Sequence, residues 1–162
     1  MRIGIGYDIH KLKKGIKLML GGIEIPFSYG LTGHSDADVL LHAIMDAMLG
    51  AAALKDIGYH FPTDDPTYKG VASIELLQNV RAMIGEKGLR VGNIDTTVIA
   101  EEPKIAPFID DMRGKIAAVL DVHTDQVMVK ATTNEGLVAA GNKKGIAAFA
   151  VALLVDESEN VW

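Results

Sequence analysis

The length, composition and charge of the chain exclude several classes of protein. Its 162 residues, 49% hydrophobic and 23% charged, fit one soluble globular domain over residues 1–162, with a tail at about 156–162, and exclude disordered and fibrous chains. The net charge of −5, with scattered basic residues, argues against a nucleic-acid partner, and the lack of cysteine excludes disulfides and favours the cytoplasm. The longest apolar run, residues 146–155, is about half of the roughly 20 residues that cross a membrane, so no membrane partner is expected.

Alternation of apolar with small or polar residues predicts the strands. In the first strand, Ile3, Ile5 and Tyr7 form the side that is expected to pack, and glycines dominate the other side. Two short apolar runs around Gly21-Gly22 predict a hairpin within residues 17–25. The last strand is apolar on both faces, and its alanines also allow a helix. The strands predicted outside the hairpin cover residues 2–10, 94–100, 127–131 and 146–155.

Helical periodicity predicts three helices, separated by loops. The first helix is apolar around almost its whole circumference, which predicts that it is buried. The third begins at Pro107, because proline is favoured in a first helical turn. The loop over residues 56–70 is rich in Pro, Gly and Asp, as functional loops often are. The helices cover residues 38–53, 73–87 and the segment from Pro107, and the other two loops cover 26–37 and 132–145. These elements predict strands and helices in one pair of layers.

Two spaced groups of acids and histidines predict a metal site. Asp8 and His10 are two residues apart on a strand, so both side chains leave the same face, with Cα atoms about 6.7 Å apart. Asp38, His42 and Asp46 recur every four residues and form one polar stripe on an otherwise apolar helix. Imidazole and carboxylate groups suit zinc or a similar divalent ion, with a fourth position open for catalysis. The alternative is a set of hydrogen-bonded core side chains, and spacing alone leaves both open.

Two other segments carry residues suited to phosphate. Gly33-His34-Ser35-Asp36 precedes the first helix, where free backbone N–H groups attract phosphate. The alternative is that Ser35 or Asp36 simply caps the helix. A second segment follows a strand and offers hydroxyls and a carboxylate to phosphate oxygens and a magnesium ion: Lys130-Ala131-Thr132-Thr133-Asn134-Glu135-Gly136. The alternative is that it forms an ordinary turn. Glu101-Glu102-Pro103-Lys104 has the composition of a solvated loop.

Five motifs, in this order and spacing, resemble the 2-C-methyl-D-erythritol 2,4-cyclodiphosphate synthase family. Each motif alone is weak, but five in register are highly specific, and the resemblance runs from residue 1 to about residue 155. The motifs are Gly6-Tyr7-Asp8-Ile9-His10, Gly33-His34-Ser35-Asp36-Ala37-Asp38-Val39 with His42-Ala43, Asp56-Ile57-Gly58, Pro103-Lys104, and Val129-Lys130-Ala131-Thr132-Thr133 with Glu135. The family implies an α+β fold, a two-layer domain with a mixed β-sheet and helices packed on one face, which assembles as a homotrimer with active sites between subunits.

The resemblance also implies metals and catalytic residues. The implied ligands of Zn²⁺, or of another divalent metal in the same site, are Asp8, His10 and His42, in agreement with the spacing. Glu135 would reach a Mg²⁺ ion through the substrate phosphates, and His34 and Thr133 would hydrogen-bond the transferring group. Asp46, one turn beyond His42, is our own candidate for orienting that imidazole, because ligating histidines usually donate their other N–H to a carboxylate.

The implied substrate contacts fall into two groups. One group surrounds the metal and the methylerythritol part: Asp8, Ile9, His10, His34, Ser35, Asp56, Ile57, Gly58, Phe61, Pro62, Thr63, Asp64 and Asp65. The other comes from the adjacent subunit and holds the cytidine diphosphate part: Ala100, Pro103, Lys104, Ile105, Ala106, Thr132, Thr133, Asn134 and Glu135. The implied reaction converts 4-diphosphocytidyl-2-C-methyl-D-erythritol 2-phosphate to the cyclic diphosphate and releases CMP.

The chain departs from the family pattern in two places. Thr63 stands where many members have an aspartate, so a carboxylate contact to the erythritol hydroxyls is lost or replaced. Ala139 and Asn142 stand where many members have a Phe and an Arg that face a cavity on the trimer axis. We therefore expect weak or absent isoprenoid diphosphate binding there, unless Lys143 or Lys144 substitutes, and tight geranyl diphosphate binding in a titration would refute this expectation.

Two alternative functions use the same residues. A metal-dependent phosphohydrolase would use the ion and the phosphate-binding loop to activate water, and it would release inorganic phosphate from simple phosphoesters. A non-catalytic trimeric ligand-binding module would use Asp8, His10 and His42 as a structural zinc site. A closed site with four protein ligands would support the module, whereas three evident ligands favour an enzyme.

Overall fold

The computed structural model describes residues 1–137 and 144–158, and within these it contains seven strands and four α-helices. The strands are β1 (Arg2–Lys14), β2 (Leu18–Leu20), β3 (Ile23–Ile25), β4 (Tyr29–Thr32), β5 (Leu89–Ile99), β6 (Val127–Thr132) and β7 (Gly145–Asp156). The helices are α1 (Val39–Ala51), α2 (Ile57–His60), α3 (Ser73–Gly85) and α4 (Ile109–Leu120). Across the described ranges, no helix is long and apolar enough to cross a membrane.

Five of the strands form a mixed sheet in the order β4-β1-β7-β5-β6. Three neighbouring pairs are antiparallel, whereas β5 and β6 run parallel. Strands β2 and β3 form the predicted hairpin apart from this sheet. The predicted combination of a mixed sheet with helices is therefore confirmed, and β7 is a strand although its alanines also allowed a helix.

Helix α1 packs against β1 and β7 at very short range. A Cβ atom added to Gly4 would lie 2.0 Å from the carbonyl oxygen of Ala47, and one added to Gly6 would lie 1.9 Å from that of Ala43. Glycine is therefore required at both positions, since any side chain would push the helix away. This close approach brings the polar side chains of α1 next to those that follow on the same face of β1.

The packed face of β1 is the glycine face, so the prediction that its Ile and Tyr residues pack was wrong. Ile3 and Ile5 are 74% and 71% exposed. Tyr7 is half-exposed on the same open face, where its ring lies 4.6 Å from that of Phe149 on β7. The predicted alternation of the two sides was right. However, α1 packs on the side of Gly4 and Gly6, because glycine has no side chain to hold the helix backbone away.

Strand β4 lies inside the segment predicted to be a loop over residues 26–37. It pairs antiparallel with the end of β1, which continues to Lys14 instead of ending at residue 10, and Lys11 pairs with Thr32. Strand β5 begins at Leu89, five residues before the predicted start. The extension of β1 is mostly exposed and is held by its hydrogen bonds to β4, whereas the early part of β5 buries Leu89 and Val91, an alternation that the prediction missed.

The predicted loop over residues 56–70 contains two short helical turns. Asp56 caps α2 by accepting from Tyr59 N, and Asp65 caps a 3₁₀ turn, Pro66–Tyr68, by accepting from Thr67 N. Likewise, the helix predicted to open at Pro107 begins with a 3₁₀ turn, and α4 itself starts at Ile109. Residues 56–70, the covering segment, pack against the middle of α1, where Ile57 N donates to Asp46 Oδ1.

Candidate metal centre and cleft

Three predicted metal ligands converge at one point. Asp8 Oδ2 lies 3.0 Å from His10 Nε2 and 2.9 Å from His42 Nδ1, and the two ring nitrogens are 3.1 Å apart. Asp8 and His10 leave the glycine face of β1, and His42 comes from α1 above it. The tight packing of α1 on β1 therefore brings His42 to Asp8 and His10, which lie 34 and 32 positions before it in sequence.

The donor set fits a divalent cation. Four ligands at about 2.0–2.1 Å around a tetrahedral zinc ion stand about 3.3 Å from one another, close to the separations seen here. Asp8 Oδ2 and two unprotonated ring nitrogens are all acceptors, so without a cation or shared protons they would repel one another. Within residues 1–137 and 144–158, this is the one group of three acids or histidines with the spacing of a metal site. A divalent ion held by these three atoms is thus chemically reasonable.

The electrostatics of Asp8 agree with a cation-binding role. Burial alone raises the pKa of the Asp8 carboxyl, but the hydrogen bonds and charges of His10 and His42 outweigh burial and hold that pKa well below its ordinary value. Asp8 is therefore a carboxylate at neutral pH. Its other oxygen, Oδ1, accepts from Ile9 N at 2.7 Å, which fixes the orientation of the group.

Asp38, the first member of the predicted polar stripe, has a structural role. It is fully buried and caps α1, because its Oδ1 accepts from Leu41 N at 3.1 Å. The same carboxylate accepts from Gly21 N and Gly22 N in the β2–β3 turn, at 2.9 and 2.7 Å. Burial raises its pKa, and these three N–H donors lower it. The cap expected from Ser35 or Asp36 is thus supplied by Asp38.

Asp46 does not make the predicted contact to His42. Its Oδ1 accepts from Ile57 N at 2.8 Å and so joins α1 to α2. The second ring nitrogen of His42, Nε2, instead lies 3.0 Å from the hydroxyls of both Ser35 and Ser73. Helical spacing placed Asp46 on the right side of α1, but spacing could not reveal that α2 reaches its carboxylate first.

A cleft of about 170 Å³ opens beside the metal ligands. Its polar end is formed by the three ligands with His34 and Ser35, and its other walls are mostly apolar. Among the apolar residues, the rings of Phe61 and Tyr68 meet edge to face at 5.3 Å. The lining residues are Asp8, His10, His34, Ser35, His42, Met45, Ile57, Gly58, Phe61, Thr63, Tyr68 and Leu76. An anionic group near the ligands and a small carbon skeleton against the rings would both be accommodated.

Most of the predicted residues of the first group line this cleft or adjoin it. His34 Nε2 donates to the carbonyl oxygen of Asp65 at 3.3 Å, which ties the loop before α1 to the segment after α2. Thr63, the departure from the family pattern, lines the cleft. Ile9 differs, because its side chain is on the open face of the sheet and is 42% exposed. Asp56, Pro62, Asp64 and Asp65 belong to the covering segment outside the lining.

The second group lies at the ends of β5 and β6. These strands are parallel, with Ile99 opposite Thr132, so the segments that follow them leave the sheet side by side. Thr133 Oγ1 donates to Glu135 Oε1 at 3.0 Å and accepts from Glu135 N at 3.2 Å. The predicted loop of hydroxyls and carboxylate therefore forms one compact turn.

Glu101, expected only in a solvated loop, organises that turn. Its Oε1 accepts from Asn134 N at 2.9 Å and from Gly136 N at 3.3 Å. No sequence motif marked this contact, since the residues it joins are more than 30 positions apart. The Glu101 carboxylate thus fixes the segment after β5 and the turn after β6 relative to each other.

The two groups are separate within one chain. Strand β1 carries Asp8 and His10, with His42 above it on α1, whereas β5 and β6 are two and three places away from β1 in the sheet, which corresponds to about 10–15 Å. No residue of the second group is among the residues that line the cleft in the described chain. Both groups nevertheless lie at the same end of the sheet, since His10 pairs with Ile146 and Ile99 pairs with Ala147.

A larger groove, of about 780 Å³, lies at the opposite end of the sheet. It is lined by the ends of α3 and α4 and the start of β5, with side chains that include Arg81 and Asp121. These two form an ion pair at 2.7 Å. Size therefore does not identify the site here, since the three convergent ligands belong to the smaller cleft. The departures Ala139 and Asn142 lie outside the described residues, as does Lys143.

Comparisons with known proteins show which family the chain belongs to. The model of the YgbB family matches residues 1–155. The chain belongs to the YgbB family. Among its curated relatives, the 2-C-methyl-D-erythritol 2,4-cyclodiphosphate synthase of Clostridioides difficile (strain 630) is 55% identical over 160 residues, which cover 99% of each chain. The family resemblance predicted from the five motifs is thereby confirmed.

Solved structures of relatives share the fold of this YgbB member. The bifunctional IspDF from Campylobacter jejuni superposes with a TM-score of 0.92 at 39% identity, and the match covers 98% of this chain but 43% of that longer one. A CDP complex of IspF from Plasmodium falciparum gives a TM-score of 0.84 at 38% identity, and it covers 97% of each chain. Both likenesses extend over nearly all of this chain.

Proposed function

We propose that this chain converts 4-diphosphocytidyl-2-C-methyl-D-erythritol 2-phosphate to 2-C-methyl-D-erythritol 2,4-cyclodiphosphate and CMP, in the non-mevalonate route to isoprenoids. The observation that carries the proposal is the convergence of Asp8, His10 and His42 at the polar end of a cleft. The name shared by its relatives supports the reaction. We further propose that residues 1–162 form one synthase domain and, on composition alone, that it works in the cytoplasm.

The reaction is an intramolecular phosphoryl transfer. An oxygen of the 2-phosphate forms a bond to the β-phosphorus, the bond from that phosphorus to the bridging oxygen breaks, and CMP leaves with the electron pair. The nucleophile is already an anion, so the site needs no serine nucleophile and no strong base. The main task of the protein is to hold both phosphates in line, which is worth up to about 7–11 kcal/mol when done well.

Asp8, His10 and His42 would hold a divalent ion, for which zinc is our proposal. When bound, this ion supplies positive charge and Lewis acidity to phosphoryl oxygens. His34 and Ser35 lie at the same end of the cleft, and their side chains can donate to phosphate oxygens there. We assign His34, with Thr133, to hydrogen bonds with the transferring group.

The covering segment would bind the methylerythritol part. Ile57, Gly58 and Phe61 line the apolar side of the cleft, where the methyl-bearing skeleton would pack. Thr63 offers a hydroxyl where the family often has a carboxylate, so it would hydrogen-bond a substrate hydroxyl without adding charge. The remaining residues of this proposed contact set are Asp56, Pro62, Asp64 and Asp65.

The turn after β6 and the segment after β5 would bind the cytidine diphosphate part. Their proposed contact residues are Ala100, Pro103, Lys104, Ile105, Ala106, Thr132, Thr133, Asn134 and Glu135. Glu135 would help to hold a Mg²⁺ ion, which would supply positive charge to the substrate phosphates, since carboxylate and phosphate oxygens are ligands that magnesium prefers. The CDP bound in the Plasmodium falciparum relative supports a nucleotide site in this fold.

A homotrimer with sites between subunits would unite the two groups. In one chain they lie at the same end of the sheet, two to three strands apart. The sheet also leaves one apolar face open, with Ile3, Ile5, Phe149 and Val151 all more than 40% exposed. Contiguous apolar faces of this kind mark protein interfaces, so we propose that neighbouring chains pack there.

Phosphorus NMR of the purified protein tests the proposed reaction. With Zn²⁺, Mg²⁺ and 4-diphosphocytidyl-2-C-methyl-D-erythritol 2-phosphate, we expect CMP and the cyclic diphosphate from the wild type and no cyclic product from His42→Ala. Tyr59→Ala, which changes an exposed ring outside the cleft, is the matched control. Inorganic phosphate without the cyclic product would support a phosphohydrolase, and a metal-loaded protein without turnover would support a binding module.

A further inference from the structure

We propose that Ser73 and Asp36 form a positioning pair that keeps the proton of His42 on Nε2, so that Nδ1 is free to bind the metal. This inference rests on the proposed metal site but not on the reaction that the site performs. It assigns to a buried serine and an acid before α1 the role that the sequence had suggested for Asp46. No sequence pattern singled out Ser73, and Asp36 was considered only as a helix cap or as part of the phosphate-binding segment before α1.

The contacts form a short chain behind the metal ligand. His42 Nε2 lies 3.0 Å from Ser73 Oγ, and Ser73 is fully buried. Ser73 Oγ in turn donates to Asp36 Oδ1, and Ser73 N donates to Asp36 Oδ2 at 3.1 Å. The serine is thus held between the imidazole and a carboxylate, with both its hydroxyl and its backbone N–H directed at the acid.

The direction of these hydrogen bonds follows from counting protons. A serine hydroxyl has one proton, and a carboxylate can only accept, so Ser73 donates to Asp36. Toward His42, Ser73 Oγ can then act only as an acceptor. His42 Nε2 must therefore carry a proton. Nδ1 faces Asp8 and His10, and a metal ion bound there would replace any proton that Nδ1 shares with Asp8 Oδ2 at 2.9 Å.

Ser35 is a second hydroxyl at the same distance, but it does not impose this direction. Its Oγ lies 3.0 Å from His42 Nε2 and 3.2 Å from Ser73 Oγ, and it accepts from Ala37 N at 3.2 Å. Its contacts include no carboxylate, so its proton can point toward Ser73 and adapt to either state of the ring. The assignment of roles within this cluster is therefore specific to Ser73.

Asp36 is itself fixed by the start of α3. The residue at the N-cap position of α3, Ala72, has no side chain able to cap, and Asp36 supplies an acceptor to the first helical N–H from a distant part of the chain. Asp36 N also donates to the carbonyl oxygen of Val71 at 3.2 Å. The chain of contacts consequently runs from a helix terminus to a metal ligand, which makes the orientation of His42 depend on the docking of α3.

Nitrogen-15 NMR of the histidine side chains, recorded on metal-free protein in mildly alkaline buffer, reads the proton position directly. His42→Gln identifies the signals of His42 among the five histidines. We expect a proton on Nε2 in the wild type and in Ser35→Ala. In Asp36→Asn the amide N–H₂ can donate to Ser73 Oγ, which frees the serine proton for Nε2, so the Nδ1–H tautomer should appear. In Ser73→Ala the tautomers should mix.

Zinc affinity, measured by competition with a chromophoric chelator, provides a second readout that requires no turnover. We expect a loss of about 10–100-fold for Ser73→Ala, as is typical when the partner of a ligating histidine is removed. Asp36→Asn should also weaken zinc binding, whereas Ser35→Ala should do so less than either. Circular dichroism checks that each variant is folded, and Asp36→Asn keeps the test valid if Ser73→Ala does not fold.

The inference is overturned if Ser73→Ala and Asp36→Asn keep the wild-type tautomer and zinc affinity, or if Ser35→Ala alters both as strongly as Ser73→Ala. Its failure and that of the proposed reaction are distinguishable. A protein that shows the expected tautomers and zinc affinities but forms no cyclic diphosphate would refute the reaction and retain the positioning pair. Conversely, if the wild type forms the cyclic diphosphate but zinc affinity and tautomer are unchanged in Ser73→Ala and Asp36→Asn, the reaction is supported and the positioning pair is refuted.

Discussion

Gly6 on β1 and Ala43 on α1 are in backbone contact: a Cβ atom at Gly6 would lie 1.9 Å from the carbonyl oxygen of Ala43. Asp8 follows Gly6 on the same face of the strand, and His42 precedes Ala43 on the helix. The distance between strand and helix therefore sets the distance between the metal ligands. A site whose donor atoms stand about 3 Å apart tolerates little change in this separation.

Gly6→Ala tests this coupling. The added methyl group must push α1 away from β1, so we expect the free energy of unfolding to fall by about 3 kcal/mol or more and zinc affinity to fall with it. Gly114→Ala in α4 is the control, because nothing lies within 4 Å of its added Cβ and alanine favours a helix by about 1 kcal/mol. Chemical denaturation and chelator competition measure both effects. Unchanged zinc affinity in a destabilised Gly6→Ala would disprove the coupling.

The pH dependence of stability should reveal the burial of Asp46. Burial raises the pKa of its carboxyl, the hydrogen bond from Ile57 N lowers it, and the nearby charge of Asp56 raises it further. Because the folded state binds the proton more tightly than the unfolded state, the stability that Asp46 contributes is full below its unfolded pKa and is lost as pH rises through the folded pKa.

Asp46→Asn cannot ionise but keeps an oxygen for the Ile57 N–H. Its free energy of unfolding, relative to the wild type, should therefore increase from acid to neutral pH and then level off. Urea denaturation of metal-free protein at a series of pH values measures this difference. Asp64→Asn, in the exposed part of the covering segment, controls for the loss of one charge. A flat or falling difference for Asp46→Asn would be inconsistent with the raised pKa.

Glu101 should control nucleotide binding without touching the zinc site. Glu101→Ala removes the carboxylate that accepts hydrogen bonds from Asn134 N and Gly136 N. A hydrogen bond to a charged group such as this carboxylate contributes about 1.5–3 kcal/mol to stability. We expect KM for the substrate and the Mg²⁺ requirement to rise about tenfold or more, with zinc affinity unchanged. Glu101→Gln retains one acceptor oxygen and should lie between Glu101→Ala and the wild type. Equal KM values for all three proteins would contradict the prediction.

The open sheet face predicts the effect of a charge on assembly. Ile5 is 71% exposed in the single chain, so Ile5→Glu costs a folded monomer little, but a carboxylate buried between subunits would be strongly unfavourable. Sedimentation equilibrium should show a trimer for the wild type and a monomer for Ile5→Glu. Tyr59→Glu, which introduces the same charge at a ring 60% exposed on α2, should remain trimeric. A trimeric Ile5→Glu would place the interface elsewhere.

The sequence by itself determined the local periods and the chemistry of the ligands. Alternation at the start of β1 puts Asp8 and His10 on one side, and the spacing of Asp38, His42 and Asp46 puts them on one stripe, since strand and helix periods are fixed by the backbone. Asp8, His10 and His42 carry the carboxylate and imidazole groups that bind divalent cations, although their spacing also left a hydrogen-bonded cluster open. The five motifs in register were sufficient to identify the family.

Only the tertiary structure decided which side of β1 packs and which partners the polar groups take. Glycine permits a closer approach than isoleucine, so α1 covers the side with the fewest side chains. Asp38, Asp46 and Glu101 each meet backbone N–H groups 11 or more positions away, and His42 meets Ser73 at a separation of 31. Such contacts leave no periodic signal, because they depend on where whole elements dock rather than on the conformation of neighbouring residues.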